Sequence, residues 1–161
     1  MIEVATTSIE ATQALAEALG RALRGGEVIE LISDVGGGKT AFTKGLARGL
    51  QIGEVVQSPT FTISRLYQAR DGLELHHFDF YRLQEPGVMA AELAESIAQS
   101  NVIVVTEWGD IVHDVLPQQH LRITIASPGA ESNRLFSFAV PADYDHLLPA
   151  LNHFKITEKL A

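Results

Sequence analysis

The chain has 161 residues, 46% apolar and 20% charged, which fits one globular domain with a sizeable core and excludes a disordered or fibrous chain. Twelve basic against twenty acidic residues leave a net charge of −8, which disfavours a protein that grips nucleic acid unaided. The absence of cysteine excludes a disulfide scaffold, a thiol nucleophile and thiolate metal sites, and suits a reducing, cytoplasmic setting.

No repeat, low-complexity tract or Pro/Gly/Ser linker divides the sequence, so residues 1–161 are expected to form a single domain. The N-terminal Met1-Ile2-Glu3-Val4 has neither a basic start nor an apolar run, so no secretory leader is expected. The first helix is expected to begin at Thr7, where Thr7-x-x-Glu10 has the form of a capping box. Leu15, Leu19 and Leu23 then recur at helical spacing, and Gly25-Gly26 ends the element. Residues 27–32 have the character of a strand, 33–38 of a tight glycine-bearing loop, and 39–50 of a helix.

Residues 61–67 and 73–81 are strand-like runs flanking Asp71-Gly72, a strong hairpin signal. Pro86 suits the first position of a helix carrying Met89, Leu93 and Ile97. The aliphatic run at 102–105 is that of a central strand, and is far too short to span a membrane. Residues 121–125 and 134–140 are two further strand candidates, separated by a loop with Pro128 and Gly129. The tail at 143–160 is expected to be helical and interrupted at Pro149. Strand–loop–helix units mixed with hairpins predict an α/β fold: a three-layer, P-loop NTPase-like domain with a mixed parallel and antiparallel sheet.

The most informative segment is Ser33-Asp34-Val35-Gly36-Gly37-Gly38-Lys39-Thr40. It follows a strand and opens a helix, the setting that a P-loop requires. Glycines let the backbone fold around a phosphate chain with its N–H groups inward, and the helix N-terminus adds partial positive charge. Lys39 then reaches the β- and γ-phosphates and the Thr40 hydroxyl ligates Mg2+. The consensus has glycine where this chain has Ser33. The bland alternative is a glycine-rich turn with a surface lysine.

A P-loop also needs a carboxylate at the end of a neighbouring apolar strand to hold Mg2+. Glu107, after Val102-Ile103-Val104-Val105-Thr106, and Asp79, in His77-Phe78-Asp79-Phe80-Tyr81-Arg82, are the two candidates. Either is also explicable as a solvated strand edge. His77 shares a strand face with Asp79 and is either an orienting group, for Asp79 or a water, or simply structural. Arg82 suits a phosphate or partner contact, or a surface ion pair. Trp108 either packs over a nucleotide or caps the core. In Ser58-Pro59-Thr60-Phe61, Thr60 has the position of a residue that senses the metal or the γ-phosphate, though such a turn is common in its own right.

Together these motifs resemble the TsaE (YjeE) family of bacterial P-loop ATPases. The resemblance rests on the phosphate loop, Ser58-Pro59-Thr60-Phe61, His77-Phe78-Asp79-Phe80-Tyr81-Arg82-Leu83 and Glu107-Trp108, and runs from about Thr7 to Ile125; residues after Ser127 add little. It implies an ATPase required for threonylcarbamoylation of adenosine 37 in tRNAs that read codons beginning with A. Such a protein acts with TsaD and TsaB and meets tRNA only through that complex, away from membranes. The cofactors implied are ATP and Mg2+. The resemblance further implies nucleotide contacts from Ser8, from the run Asp34, Val35, Gly36, Gly37, Gly38, Lys39, Thr40 and Ala41, and from Thr60 and Trp108. It implies metal ligation by Thr40 and Glu107 with Asp79 near the metal, and catalysis through Lys39, Asp79 and Glu107. No residue is a clear arginine finger, so turnover without partners is expected to be slow. A non-hydrolytic nucleotide-binding scaffold and a small-molecule P-loop kinase are the rival readings.

Overall fold

The computed structural model describes residues 1–34, 36–59 and 62–156. Seven strands form one sheet in the order β1-β7-β6-β2-β5-β4-β3. These are β1 (Ile2–Thr6), β2 (Val28–Ile32), β3 (Ser64–Gln68), β4 (Glu74–Asp79), β5 (Val102–Glu107), β6 (Leu121–Ala126) and β7 (Arg134–Ala139). The middle four, β6-β2-β5-β4, run parallel, while β3, β7 and β1 join antiparallel. The expected mixed sheet is therefore present. Helices α1 (Ile9–Ala22), α2 (Lys39–Gly49) and α4 (Leu148–Asn152) lie on one face and α3 (Val88–Ile97) on the other.

The strand pattern sets the layers. On β2, Ile29 and Leu31 face α1 and α2 among Leu15, Leu19, Phe42 and Leu46, whereas Val28 faces the smaller core of Phe78, Val104 and Leu93. Both faces of the central strands are covered, which is why β5 is buried at every position and appears in the sequence as an unbroken apolar run.

Four local expectations change. Strand β1 was not expected, although Ile2, Val4 and Thr6 are buried and alternate with exposed Glu3 and Ala5. The first helix is capped by Ser8, not Thr7: the Ser8 hydroxyl accepts the Ala11 N–H at 3.0 Å. Gly87 is the cap of α3, one residue after Pro86. Pro149 lies in the first turn of the short helix α4 rather than interrupting a long one, because its missing N–H is harmless there. The Asp71-Gly72 hairpin is as expected, with both residues at positive φ (57° and 72°) between β3 and β4. Of the expected strand at 61–67, Phe61 is outside the described residues, and β3 starts at Ser64.

Helices α1 and α2 meet through a glycine seam. A methyl group on Gly45 would stand 2.5 Å from the Gln13 carbonyl oxygen and 2.7 Å from Ala16 Cβ. One on Gly20 would stand 2.5 Å from the Leu46 carbonyl oxygen. The hairpin turn locks the far ends of both helices. The Arg70 guanidinium donates to the carbonyls of Gly20, Arg21 and Leu23 at 3.1, 3.0 and 2.9 Å, and to that of Gly49 at 3.4 Å. These are helix-end carbonyls; that of Gly20 also accepts the Leu23 N–H at 3.3 Å.

Gly45→Ala tests the seam, because two effects have opposite signs. Alanine raises helix propensity by roughly 1 kcal/mol over glycine, while overpacking costs about 1–3 kcal/mol. Urea unfolding is expected to show a net loss of stability. A variant as stable as the parent would mean that the helices part without penalty.

Candidate nucleotide-binding site

The parallel strands β2, β5 and β4 end side by side, and the ladder fixes what meets there. Leu31 is in register with Glu107, and Glu107 with Asp79. Leu31 points into the core beneath α2, so side chains at the other two positions of the row point the same way. Two carboxylates thus come to adjacent strand ends, 4% and 2% exposed at Asp79 and Glu107. Asp79 Oδ1 accepts the Tyr81 N–H at 3.0 Å, and Glu107 Oε2 lies 3.1 Å from His77 Nε2.

Immediately beyond Leu31 and Ile32 the chain turns through the glycine loop into α2. Gly36 and Gly38 adopt positive φ, 79° and 101°, a region open chiefly to glycine, and Gly38 is the N-terminal cap of α2. The first-turn N–H groups at Lys39, Thr40 and Ala41 have no acceptor within the helix and give its N-terminus a partial positive charge. Lys39 folds back over the loop. Its ammonium donates to Ser33 O at 3.1 Å, Ser33 Oγ at 3.2 Å and Asp34 O at 3.2 Å, and lies 4.9 Å from the centre of the Trp108 ring. Ser33, where the consensus has glycine, is therefore accommodated by hydrogen bonding to the lysine itself.

A cavity of about 370 Å³ lies between loop and strand ends. Gly36, Gly37, Gly38, Lys39, Thr40, Asp79, Glu107 and Trp108 all line it, joined by Ser58 and Tyr81. Trp108 has φ 57°, a left-handed conformation costly for a bulky residue, and its ring stacks at a tilt on Tyr81 with centroids 4.9 Å apart.

Ser8 and Ala41 are not in this cavity. They line a second one of about 330 Å³ across Gly38, with Thr12, Glu131, Ser132 and Arg134. Arg134 Nε also donates to the Gly37 carbonyl at 3.0 Å, so a residue from β7 steadies the loop. Sequence reasoning missed Arg134 because no short motif marks it; only the β6–β7 pairing brings it here. Asp34 lines neither cavity. It is exposed, in a third cleft of about 670 Å³ bordered by Glu30 and the Trp108-Gly109-Asp110 turn. Arg82 is exposed and lines none of these cavities. Val35 and Thr60 lie outside the described residues.

The donor set fits a triphosphate with its divalent ion. Backbone amides and an ammonium group face two buried carboxylates across a cavity, and a hydroxyl at Thr40 stands on the cavity wall. Among the described residues no group of three His, Asp or Glu side chains converges as an all-protein metal site.

An α/β sheet with a glycine-rich strand-to-helix loop carrying Lys39-Thr40 places the chain in the P-loop class of folds. Residues 6–135 match the family described as threonylcarbamoyl adenosine biosynthesis protein TsaE. A tRNA threonylcarbamoyladenosine biosynthesis protein TsaE from Bacillus subtilis is 37% identical over 148 residues, 91% of each chain. The protein of that name from Streptomyces coelicolor is 36% identical over 112 residues, 69% of this chain and 76% of its own. The crystal structure of Bacillus subtilis YdiB superposes with a TM-score of 0.76 at 34% identity, covering 95% of this chain and 97% of that one. The chain belongs to the TsaE family of tRNA threonylcarbamoyladenosine biosynthesis proteins. Among the described residues no helix is long and apolar enough to cross a membrane.

Beneath the Trp108-Gly109 turn, Glu30 bonds to His120 Nε2 at 2.8 Å with Arg122 Nε at 3.4 Å, and a Cβ on Gly109 would stand 3.0 Å from Glu30 Oε1. The hydrogen bond to Glu30 is the main cause that raises the His120 pKa, and the bond to His120 the main cause that lowers that of Glu30. The histidine's contribution is complete below its ordinary 6.5 and fades as pH rises through its raised value. The carboxylate's contribution is complete above its ordinary 4.5 and fades as pH falls through its lowered value. Thermal unfolding of His120→Gln beside the parent is therefore expected to show its largest deficit at about pH 5.5, shrinking toward about pH 9. A deficit that grows with pH would contradict this pairing.

Proposed function

We propose that this chain binds ATP with Mg2+ and hydrolyses it to ADP and phosphate, as an accessory factor in N6-threonylcarbamoylation of adenosine 37 in tRNAs that read codons beginning with A. The observation that carries the reading is the single row of β2, β5 and β4, which sets Glu107 and Asp79 under the loop that holds Lys39 and Thr40.

Lys39 lies among loop carbonyls that phosphate oxygens would replace, and its ammonium neutralises charge growing on the β–γ bridge and γ-oxygens. The first-turn amides of α2 hold the phosphate chain. Thr40 and Glu107 would hold Mg2+, with Asp79 beside them, and the ion would supply positive charge toward the phosphate chain. One of the two carboxylates orients the attacking water. Water adds to the γ-phosphorus as the bond to the β–γ bridging oxygen breaks; ADP leaves, and the water's proton passes to solvent or to the inorganic phosphate formed. Ser8, Ala41 and Arg134 suit the nucleoside end, across Gly38 from Lys39.

Among the described residues no arginine side chain lines the cavity between Lys39 and the carboxylates. Slow turnover alone, and stimulation by partners, is consistent with that lining. The partners in this reading are TsaD and TsaB, in the cytoplasm, and the net charge of −8 supports leaving tRNA contact to them.

Lys39→Ala is expected to lose turnover and most nucleotide affinity, measured as phosphate release in the presence of TsaD and TsaB. Undiminished hydrolysis by that variant would overturn the assignment. Tight ATP binding without turnover in the parent would indicate a non-hydrolytic scaffold, and phosphate transfer to a small acceptor would indicate a kinase.

A further inference from the structure

The polar row on the α2 side of the sheet extends past the two strand-end carboxylates. His77 lies two residues before Asp79 on β4, on the same face, and pairs in register with Arg65 of β3. The His77 and Glu107 side chains are only 2% and 3% exposed. An ionised carboxylate can only accept, so the 3.1 Å contact is a hydrogen bond donated by His77 Nε2 to Glu107 Oε2.

The other ring nitrogen, Nδ1, is buried without a partner among the described residues, and so is Nε of Arg65. Buried polar atoms are nearly always paired, and an orphan costs stability that an apolar side chain of similar size would avoid. The sequence thus keeps a costly imidazole at this position. Arg65 Nε is a donor, and Nδ1 is the atom of the ring left to accept. Arg65 and His77 face each other on the antiparallel ladder, yet no hydrogen bond joins these two atoms.

We infer that His77 is a positioning residue for Glu107, its Nε2–H fixing one carboxylate oxygen so that the other is presented to Mg2+. This rests on the functional reading above, in which Glu107 is a metal ligand. A histidine that clamps a ligand carboxylate acts as outer-shell groups generally do, by removing rotamers that a bare carboxylate would sample.

The test is calorimetric titration of ADP into the folded protein, with Mg2+ and with chelator, for the parent, His77→Leu and His77→Gln, with thermal unfolding to verify folding. Leucine fills the space without a donor; the glutamine amide restores one. His77→Leu is expected to keep the metal-free affinity within about twofold but to lose roughly tenfold of the gain that Mg2+ confers. His77→Gln is expected to recover most of that gain. An Mg2+-dependent gain equal to the parent's in His77→Leu, an equal loss with and without metal, or no recovery with glutamine would each overturn the inference while leaving the functional reading intact. A parent that binds no nucleotide under either condition would sink both.

Discussion

The site depends on a backbone constraint: three parallel strands end in one register row. Neighbouring strands stand about 4.8 Å apart, a spacing that hydrogen bonding sets and side chains cannot adjust. Glu107 and Asp79 are therefore adjacent whatever their mutual repulsion, and Leu31, in the same row, delivers the chain directly into the glycine loop. A one-residue slip of β4 or β5 would turn its carboxylate to the opposite face. The apolar residues on the opposite face, Phe78 of β4 and Val104 of β5, prevent that slip because the α3 side of the sheet is also packed.

Much of this was legible in the sequence because it is local. The loop Asp34 to Thr40, the Asp71-Gly72 turn and the apolar run before Glu107 each lie within a few consecutive residues, where spacing and residue type speak directly. What escaped is what the tertiary fold assembles. Arg134 reaches Gly37 only because β7 pairs with β6, which pairs with β2. Ser8 and Ala41 share a cavity apart from that of Lys39, a separation that position along the chain does not reveal. The short strand β1 carried its alternation openly in Ile2, Val4 and Thr6, but a five-residue pattern at a terminus has little to set it apart. At Pro149 the local rule was right about proline's missing N–H, and the structure meets it by starting a helix there.

The backbone at the site is also unrelaxed in two places. Ile63 and Trp108 take positive φ, 68° and 57°, where bulky side chains are disfavoured. Each borders a strand end that carries a carboxylate: the Ile63 carbonyl accepts the Asp79 N–H at 2.8 Å, and Trp108 follows Glu107. Packing and hydrogen bonding elsewhere hold both residues in these conformations.

The guanidinium of Arg70 has a consequence for how the molecule comes apart. One side chain in a hairpin turn ties off two helices whose sequences lie on either side of β2, so β3, β4, α1 and α2 share a fastening that none of them owns. Fraying of either helix from its carboxyl end strips that cation of its acceptors, and opening of the hairpin uncovers both helix ends at once. A single side chain thus couples the carboxyl ends of two helices to a hairpin that neither of them adjoins in sequence.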